Sequence, residues 1–252
     1  MEQTLELGMD VFQLPRYWEE YQSLETIYWN GSFASEYQPI VSILEKKTVA
    51  YEALARFYTG SGKIAPDRAF QILHNDPGFF FDFEKKLKNF QIQNRPEGYP
   101  LFLNMDAHVY SKEIHSDHWE SVFKREKNIV CELIENTDYA SVEDSKFCMN
   151  HLKEMNIPFA LDDIGGKNNL FCFEFLEGAS YLKFDRRWLS LLRTDKNYAE
   201  ILKGFLSFAK LQKIQCILEG IETQADLEIA TKTGFDLGQG FLFKYGTLQV
   251  VA

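Results

Sequence analysis

SEYQPIVSILEKKTVAYEALARF, residues 35–57, decides the fold. Two apolar runs, SEYQPIVSI (35–43) and AYEALARF (50–57), are joined through the polar link EKKT. Parallel neighbours need a crossover of roughly a dozen residues or more, and this link is far shorter. The two runs therefore read as a hairpin, with the first strand antiparallel to the second. Six further runs follow: PLFLNMD (100–106), NIVCELIE (128–135), PFALDDI (158–164), SYLKFD (180–185), KIQCILEGI (213–221) and GQGFLF (238–243). Most of the segments between them, such as SVEDSKFCMNHLKEMN and YAEILKGFLSFAKLQ, have apolar residues at a spacing near 3.6. Ser141 with Asp144 reads as a helix start, and Gly234 as a helix stop. Eight strands alternating with helices predict an α/β fold, a (β/α)8 TIM-like barrel with its first strand antiparallel. A doubly wound open sheet is the fallback. No GxGxxG or GxxxxGK[ST] follows any strand, so the common nucleotide-fold fingerprints are missing.

Working outward, DVFQLPRYWEEYQSLETIYW (10–29) predicts an amphipathic helix started or broken at Pro15, and NGS at 30–32 is a turn signal. The expected organisation is a helical extension over residues 1–30 and a barrel domain over 31–252. The formal net charge of −10 argues against a non-specific grip on a nucleic-acid polymer, which needs Lys and Arg. No run approaches the ~18–20 apolar residues of a membrane span. The N-terminus lacks the basic start of a secretory signal. Cys131, Cys148, Cys172 and Cys216 form no CxxC pair and read as free thiols of a reducing, cytoplasmic compartment.

The polar residues within or ending these strands are Glu52, Asn104, Glu132, Glu135, Asp162, Asp163, Lys183, Asp185, Glu219, Glu222 and Gln239. In a barrel, the C-terminal strand ends converge on one mouth. A single acid at such an end is ordinarily a helix cap or a solvated loop residue. Glu132 in IVCELI and Glu52 in VAYEALARF are different, because apolar neighbours flank both. A lone buried carboxylate costs several kcal/mol unless a cation or hydrogen-bond donors meet it. Hard divalent ions favour such oxygens, so Mg2+ or Mn2+ is the expected partner. Glu52, Asn104, Glu132 and Asp162 can supply one octahedral site. In ALDDIGGKNNL (160–170), a regular strand would turn Asp162 and Asp163 to opposite faces, and Asp163 would reach a second ion just beyond the strand end. Two ions ~3.5–4 Å apart suit phosphoester hydrolysis. None of the histidines at 74, 108, 115, 118 and 151 joins this set. His115 and His118 in HSDHW read as solvated loop residues, which argues against zinc.

These motifs, in order, resemble the EAL-domain family of bacterial cyclic di-GMP phosphodiesterases. EYQPIV and YEALARF are similar to its opening strands, with Glu52-Ala53-Leu54 as the name-giving triplet. LNMD resembles its Asn-bearing strand, ELIE its ExTE, LDDIG its DDFG, LKFD its KID, LEGIET its EGVET and GQGFLF its QGYLF. The resemblance covers about residues 33–243. It implies that Glu52, Asn104, Glu132 and Asp162 bind a first metal and that Asp163 binds a second and helps hold the attacking water. Lys183 would orient that water, and Glu219 would be the general base or its assistant. Glu222, Gln239, Glu135 and Asp185 would support the site, and Arg56 would pair with a ligand phosphate. The implied reaction is hydrolysis of cyclic di-GMP to linear pGpG with two Mg2+ or Mn2+ ions, in a domain of a kind that often forms homodimers. The alternative is a catalytically weak or inactive domain that binds cyclic di-GMP or another protein. No cyclase half or receiver module is expected in this chain. Three departures stand out: DDIGGKNNL replaces DDFGTGYSSL, with Lys167 at a loop glycine; Ile134 replaces a Thr; and KYG follows GFLF.

Overall fold

The computed structural model describes residues 14–60, 62–110, 113–134, 139–167 and 171–252. Its strands are β1 (Ala34–Ser42), β2 (Lys47–Thr59), β3 (Gly62–Ile64), β4 (Leu101–Met105), β5 (Ile129–Ile134), β6 (Phe159–Ile164), β7 (Tyr181–Phe184), β8 (Gln215–Leu218), β9 (Leu237–Gln239) and β10 (Leu248–Val251). Its helices are α1 (Leu14–Asn30), α2 (Pro66–Leu73), α3 (Pro77–Gln93), α4 (Ala107–Tyr110), α5 (Glu113–Arg125), α6 (Tyr139–Glu154), α7 (Arg187–Thr194), α8 (Tyr198–Gln212) and α9 (Gln224–Thr233). The strand order β1-β9-β8-β7-β6-β5-β4-β2, closed by β1 against β2, makes an eight-stranded barrel. Neighbours from β2 through β9 run parallel, and β1 meets β9 antiparallel, with Ile40 opposite Gln239. The hairpin at EKKT therefore has the consequence expected of it.

By contact density the chain divides into two compact units. One is drawn from Met1–Ser35, Ala55–Phe90 and Val250–Ala252, the other from Glu36–Leu54 and Gln91–Gln249. In the first, α1 lays Tyr21 and Tyr28 on Phe79 of α3, with ring centroids 5.7 and 5.2 Å apart. Phe83 then meets Phe33 and Phe57. Tyr17 is buried, whereas Trp18 and Trp29 are exposed. In the second unit, Ile40, Ala50, Phe102, Val130, Ala160, Ile217 and Leu237 fill one layer of the barrel, with Tyr181 packed against it. Every strand of the barrel contributes to this layer, with Val49 of β2 also packed against it, the filled interior expected of such a barrel.

Several local expectations change. GQGFLF is strand only to Gln239, and Phe241–Gly246 winds into a 3-10 turn. Gly240 sits at φ +148°, and a Cβ there would strike the Ile221 backbone, so the strand stops where only glycine fits. β8 likewise ends at Leu218, before LEGIET is complete. His115 and His118 lie in α5, where Trp119, Val122 and Phe123 are buried at helical spacing and make HSDHW part of an amphipathic helix. Ser141 lies inside α6 rather than ahead of it. Gly234 does end α9, at φ +98°. The short strands β3 and β10 have no counterpart in the sequence reading. Among the described residues, no helix is long and apolar enough to cross a membrane.

Candidate active site

The filled layer sets the site's geometry, because side chains two residues apart on a strand share a face. Two residues past Ala50, Phe102, Val130, Ala160, Tyr181, Ile217 and Leu237 stand Glu52, Asn104, Glu132, Asp162, Lys183, Glu219 and Gln239. A polar layer thus rests on an apolar one at the C-terminal ends of the parallel strands. On antiparallel β1 the same step runs backwards, from Ile40 to Gln38, and Gln239 Nε2 donates to Gln38 Oε1 at 2.8 Å. Gln38 is a member of this layer that the sequence reading did not single out.

Lys183 is the hub. Its ammonium lies 2.6 Å from Glu132 Oε1, 2.9 Å from Glu219 Oε1, 3.0 Å from Asp162 Oδ1 and 3.3 Å from Glu52 Oε2. Burial works against its charge, but Asp162, Glu132, Glu219 and Glu52 together hold its pKa well above the usual lysine value. Asn104 Nδ2 donates to Glu52 Oε1 at 3.1 Å and Glu132 Oε2 at 3.2 Å, and Gln239 Nε2 donates to Glu52 Oε2 at 2.6 Å. Burial alone would raise the Glu52 carboxyl. The Lys183 charge and the donors from Gln239 and Asn104 outweigh it and leave Glu52 below the ordinary range. Glu132, fully buried, is pushed well above that range by burial and then by the Glu52 charge.

Asp162 and Asp163 do not diverge as a regular strand would require. The pairing of β6 with β7 slips between Leu161 and Ile164, so that two residues face Lys183 alone, a β-bulge. Asp163 adopts φ +57°, in the left-handed region. The combination turns both carboxylates to the same side, and oxygens of Asp162, Asp163 and Glu219 lie within 4.8 Å of one another. Burial, then the Asp162 charge, lifts Asp163 to about 6. Burial lifts Glu219 to about 8 against the pull of Lys183.

These groups fit a pair of hard cations. Glu52, Glu132 and Asp162 offer one set of oxygens within 4.8 Å of one another, and Asp162, Asp163 and Glu219 offer a second that shares Asp162. Both sets are oxygen only, which suits Mg2+ or Mn2+. Gln239 Oε1 is buried and accepts no hydrogen bond, whereas Glu132 Oε1 is met by the Lys183 ammonium at 2.6 Å. Buried acceptors of this kind call for a cation or a donor.

The ion pairs of Lys183 and the two oxygen sets do not include Asp185, Glu222 or Arg56. Asp185 Oδ1 accepts the Arg187 N–H at 2.8 Å and so caps the first turn of α7. Glu222 is exposed and lines an open cleft of about 540 Å³ with Lys167, Asp185, Arg186, Arg187 and Gly220. Arg56 is half-buried in β2, within the first compact unit, and donates from Nη1 to the Ala55 carbonyl at 2.9 Å. Glu135 lies outside the described residues.

The model of the EAL domain matches residues 22–245. The chain belongs to the EAL domain family. The protein named probable cyclic di-GMP phosphodiesterase PdeG, from Escherichia coli strain K12, is 27% identical over 249 residues, spanning 92% of this chain and 49% of PdeG. The chain thus spans about half the length of that relative. Among solved structures, an EAL domain protein from Listeria monocytogenes EGD-e superposes with a TM-score of 0.74 at 20% identity, over 88% of this chain and 92% of the other. The FimX EAL domain from Pseudomonas aeruginosa bound to c-di-GMP gives 0.76 at 18% identity, over 91% and 96%. These likenesses confirm the EAL-type barrel.

Proposed function

We propose that this domain is a metal-dependent cyclic di-GMP phosphodiesterase that releases linear pGpG. The observation that carries the reading is the pair of oxygen sets sharing Asp162, with Lys183 at their centre. PdeG, similar over most of this chain, bears the name of that activity.

Glu52, Glu132 and Asp162 would hold a first Mg2+ or Mn2+, with Asn104 joining if its amide turns its oxygen inward. Asp162, Asp163 and Glu219 surround the second position. Bound there, the ions would supply charge neutralisation at the phosphate and a more acidic water. The protein's own groups do the rest. Water attacks phosphorus, one ester P–O bond breaks, and the leaving 3′-oxygen takes a proton from solvent, so the ring opens to a 5′-phosphate and a free 3′-hydroxyl. Lys183 donates to the attacking oxygen and orients it. Glu219 takes its proton, which requires the carboxylate to be ionised. Gln239 fixes Glu52 in place. By the family resemblance, Arg56 pairs with a ligand phosphate, and the Lys167, Arg186 and Arg187 cleft supplies further positive charge near Asp185 and Glu222.

A second reading, a cyclic di-GMP-binding domain without hydrolysis, is favoured by Lys167 in the loop after Asp163. Incubation with cyclic di-GMP and Mn2+, read by chromatography, separates the two. Product that disappears in Lys183→Ala and Glu219→Gln supports the enzyme; retained ligand binding without product overturns it.

A further inference from the structure

The turn that carries Asp163 is held by a side chain from the next βα unit. The Gly166 N–H donates to the Asp163 carbonyl at 2.9 Å and closes a tight turn. Inside that turn Asp163 lies at φ +57° and Gly165 at φ +80°. The carbonyl of Ile164, between them, accepts two hydrogen bonds. One comes from the Asp185 backbone N–H at 3.2 Å and extends the β6–β7 ladder. The other comes from the Trp188 indole Nε1–H at 2.8 Å. Trp188 is 6% exposed, and Phe184 and Tyr198 meet its ring edge-on with centroids 6.3 Å away. Gly165 lies beneath the indole, where an added Cβ would run into Nε1. The two residues are matched: glycine lets the indole approach, and the indole donates to the carbonyl next to that glycine.

We propose that Trp188 is a positioning residue for Asp163, holding its left-handed turn so that the carboxylate stays on the same side as Asp162 and Glu219. This rests on the two-ion reading above. A left-handed conformation is unfavourable for a residue with a Cβ. Return of Asp163 to an extended conformation would swing its carboxylate toward the opposite face. The departure at Lys167 leaves Gly165 and Gly166 as the glycines of this turn, and the Trp188 bond pins the carbonyl between Asp163 and Gly165. Trp188 touches none of the reacting groups and acts only through the Ile164 carbonyl.

Trp188→Phe tests this, because it keeps an aromatic ring between Phe184 and Tyr198 while removing the donor, and Gly165→Ala checks the same tether without shrinking the ring. Loss of one hydrogen bond is expected to speed amide exchange at Gly166 by roughly fivefold. Titration of metal-free protein with Mn2+, followed by electron paramagnetic resonance without substrate, is expected to show the weaker site losing about 10–100-fold in affinity and the tighter site unchanged. Gly165→Ala, which pushes the indole away from the other side, is expected to give the same pattern. Unchanged exchange in both variants, or faster exchange with both ions bound as in the parent, overturns the proposal. A parent protein that binds no Mn2+ overturns the two-ion reading and the role of Trp188 toward it, while the exchange rate still reports whether the tether exists.

Discussion

The Lys183 ammonium lies 2.6 Å from Glu132 Oε1, and neither residue has any measurable solvent exposure. Three more carboxylates, from Glu52, Asp162 and Glu219, share the same ammonium. Without an ion, this lysine neutralises a cluster that has no other cation within it among the described residues. Lys183→Met should therefore destabilise the metal-free protein by about 3–5 kcal/mol, the usual cost of leaving a buried charge without its partner. Added Mn2+ should restore more of the lost stability in this variant than it adds to the parent. Thermal unfolding with chelator and with Mn2+ measures both effects.

A pH dependence follows from the raised carboxyls. Asp163 at about 6 and Glu219 at about 8 bind protons more tightly folded than unfolded. Their contribution to stability is complete below the unfolded values, near ~4, and is lost as pH rises through the folded ones. In chelator, melting temperature should fall between pH 5 and 8.5 by an amount that Glu219→Gln reduces from pH 5 up to about 8, with Asp163 contributing only up to about 6. Mn2+ affinity should rise over the same interval, because the ion and the proton compete for the same oxygens. A parent and a Glu219→Gln variant with identical pH profiles would contradict the assignment.

Gln239 offers a test of how Glu52 is held. Its amide donates to Glu52 Oε2 at 2.6 Å and to Gln38 Oε1 at 2.8 Å, and it is 2% exposed. Gln239→Leu removes one of the two donors to Glu52 Oε2, leaving Lys183, and the donor to the half-buried Gln38 Oε1, and should cost about 1 kcal/mol in a denaturant titration. The same substitution should weaken Mn2+ at the site that includes Glu52.

Asp185 separates a capping role from a chemical one. Its carboxylate caps α7 through the Arg187 N–H. Asp185→Asn keeps a capping oxygen and should retain stability, whereas Asp185→Ala should lose about 1 kcal/mol. Loss of cleavage in the asparagine variant at full stability would place Asp185 in the chemistry instead.

The barrel and most of its polar layer are legible from the sequence because strand periodicity is a local property. Glu52 follows Ala50, and Glu132 follows Val130, on one face of a strand that can be read without its neighbours. Three features escape such reading. Gln38 sits on the antiparallel strand, where the mouth lies toward the N-terminal end, so a search of C-terminal strand ends passes over it. The shared side of Asp162 and Asp163 depends on a slip between β6 and β7, which is a relation between two strands. Trp188, in RRWLSLL, reads as a core residue of an amphipathic helix, and only the distance to the Ile164 carbonyl gives its indole nitrogen a task.

The most direct measurement of the central claim is a single-turnover incubation of the protein, in excess, with cyclic di-GMP across a Mn2+ titration. The account predicts conversion to pGpG that is absent in chelator and saturates with Mn2+. Cyclic di-GMP that is bound yet remains intact at saturating Mn2+ would contradict it.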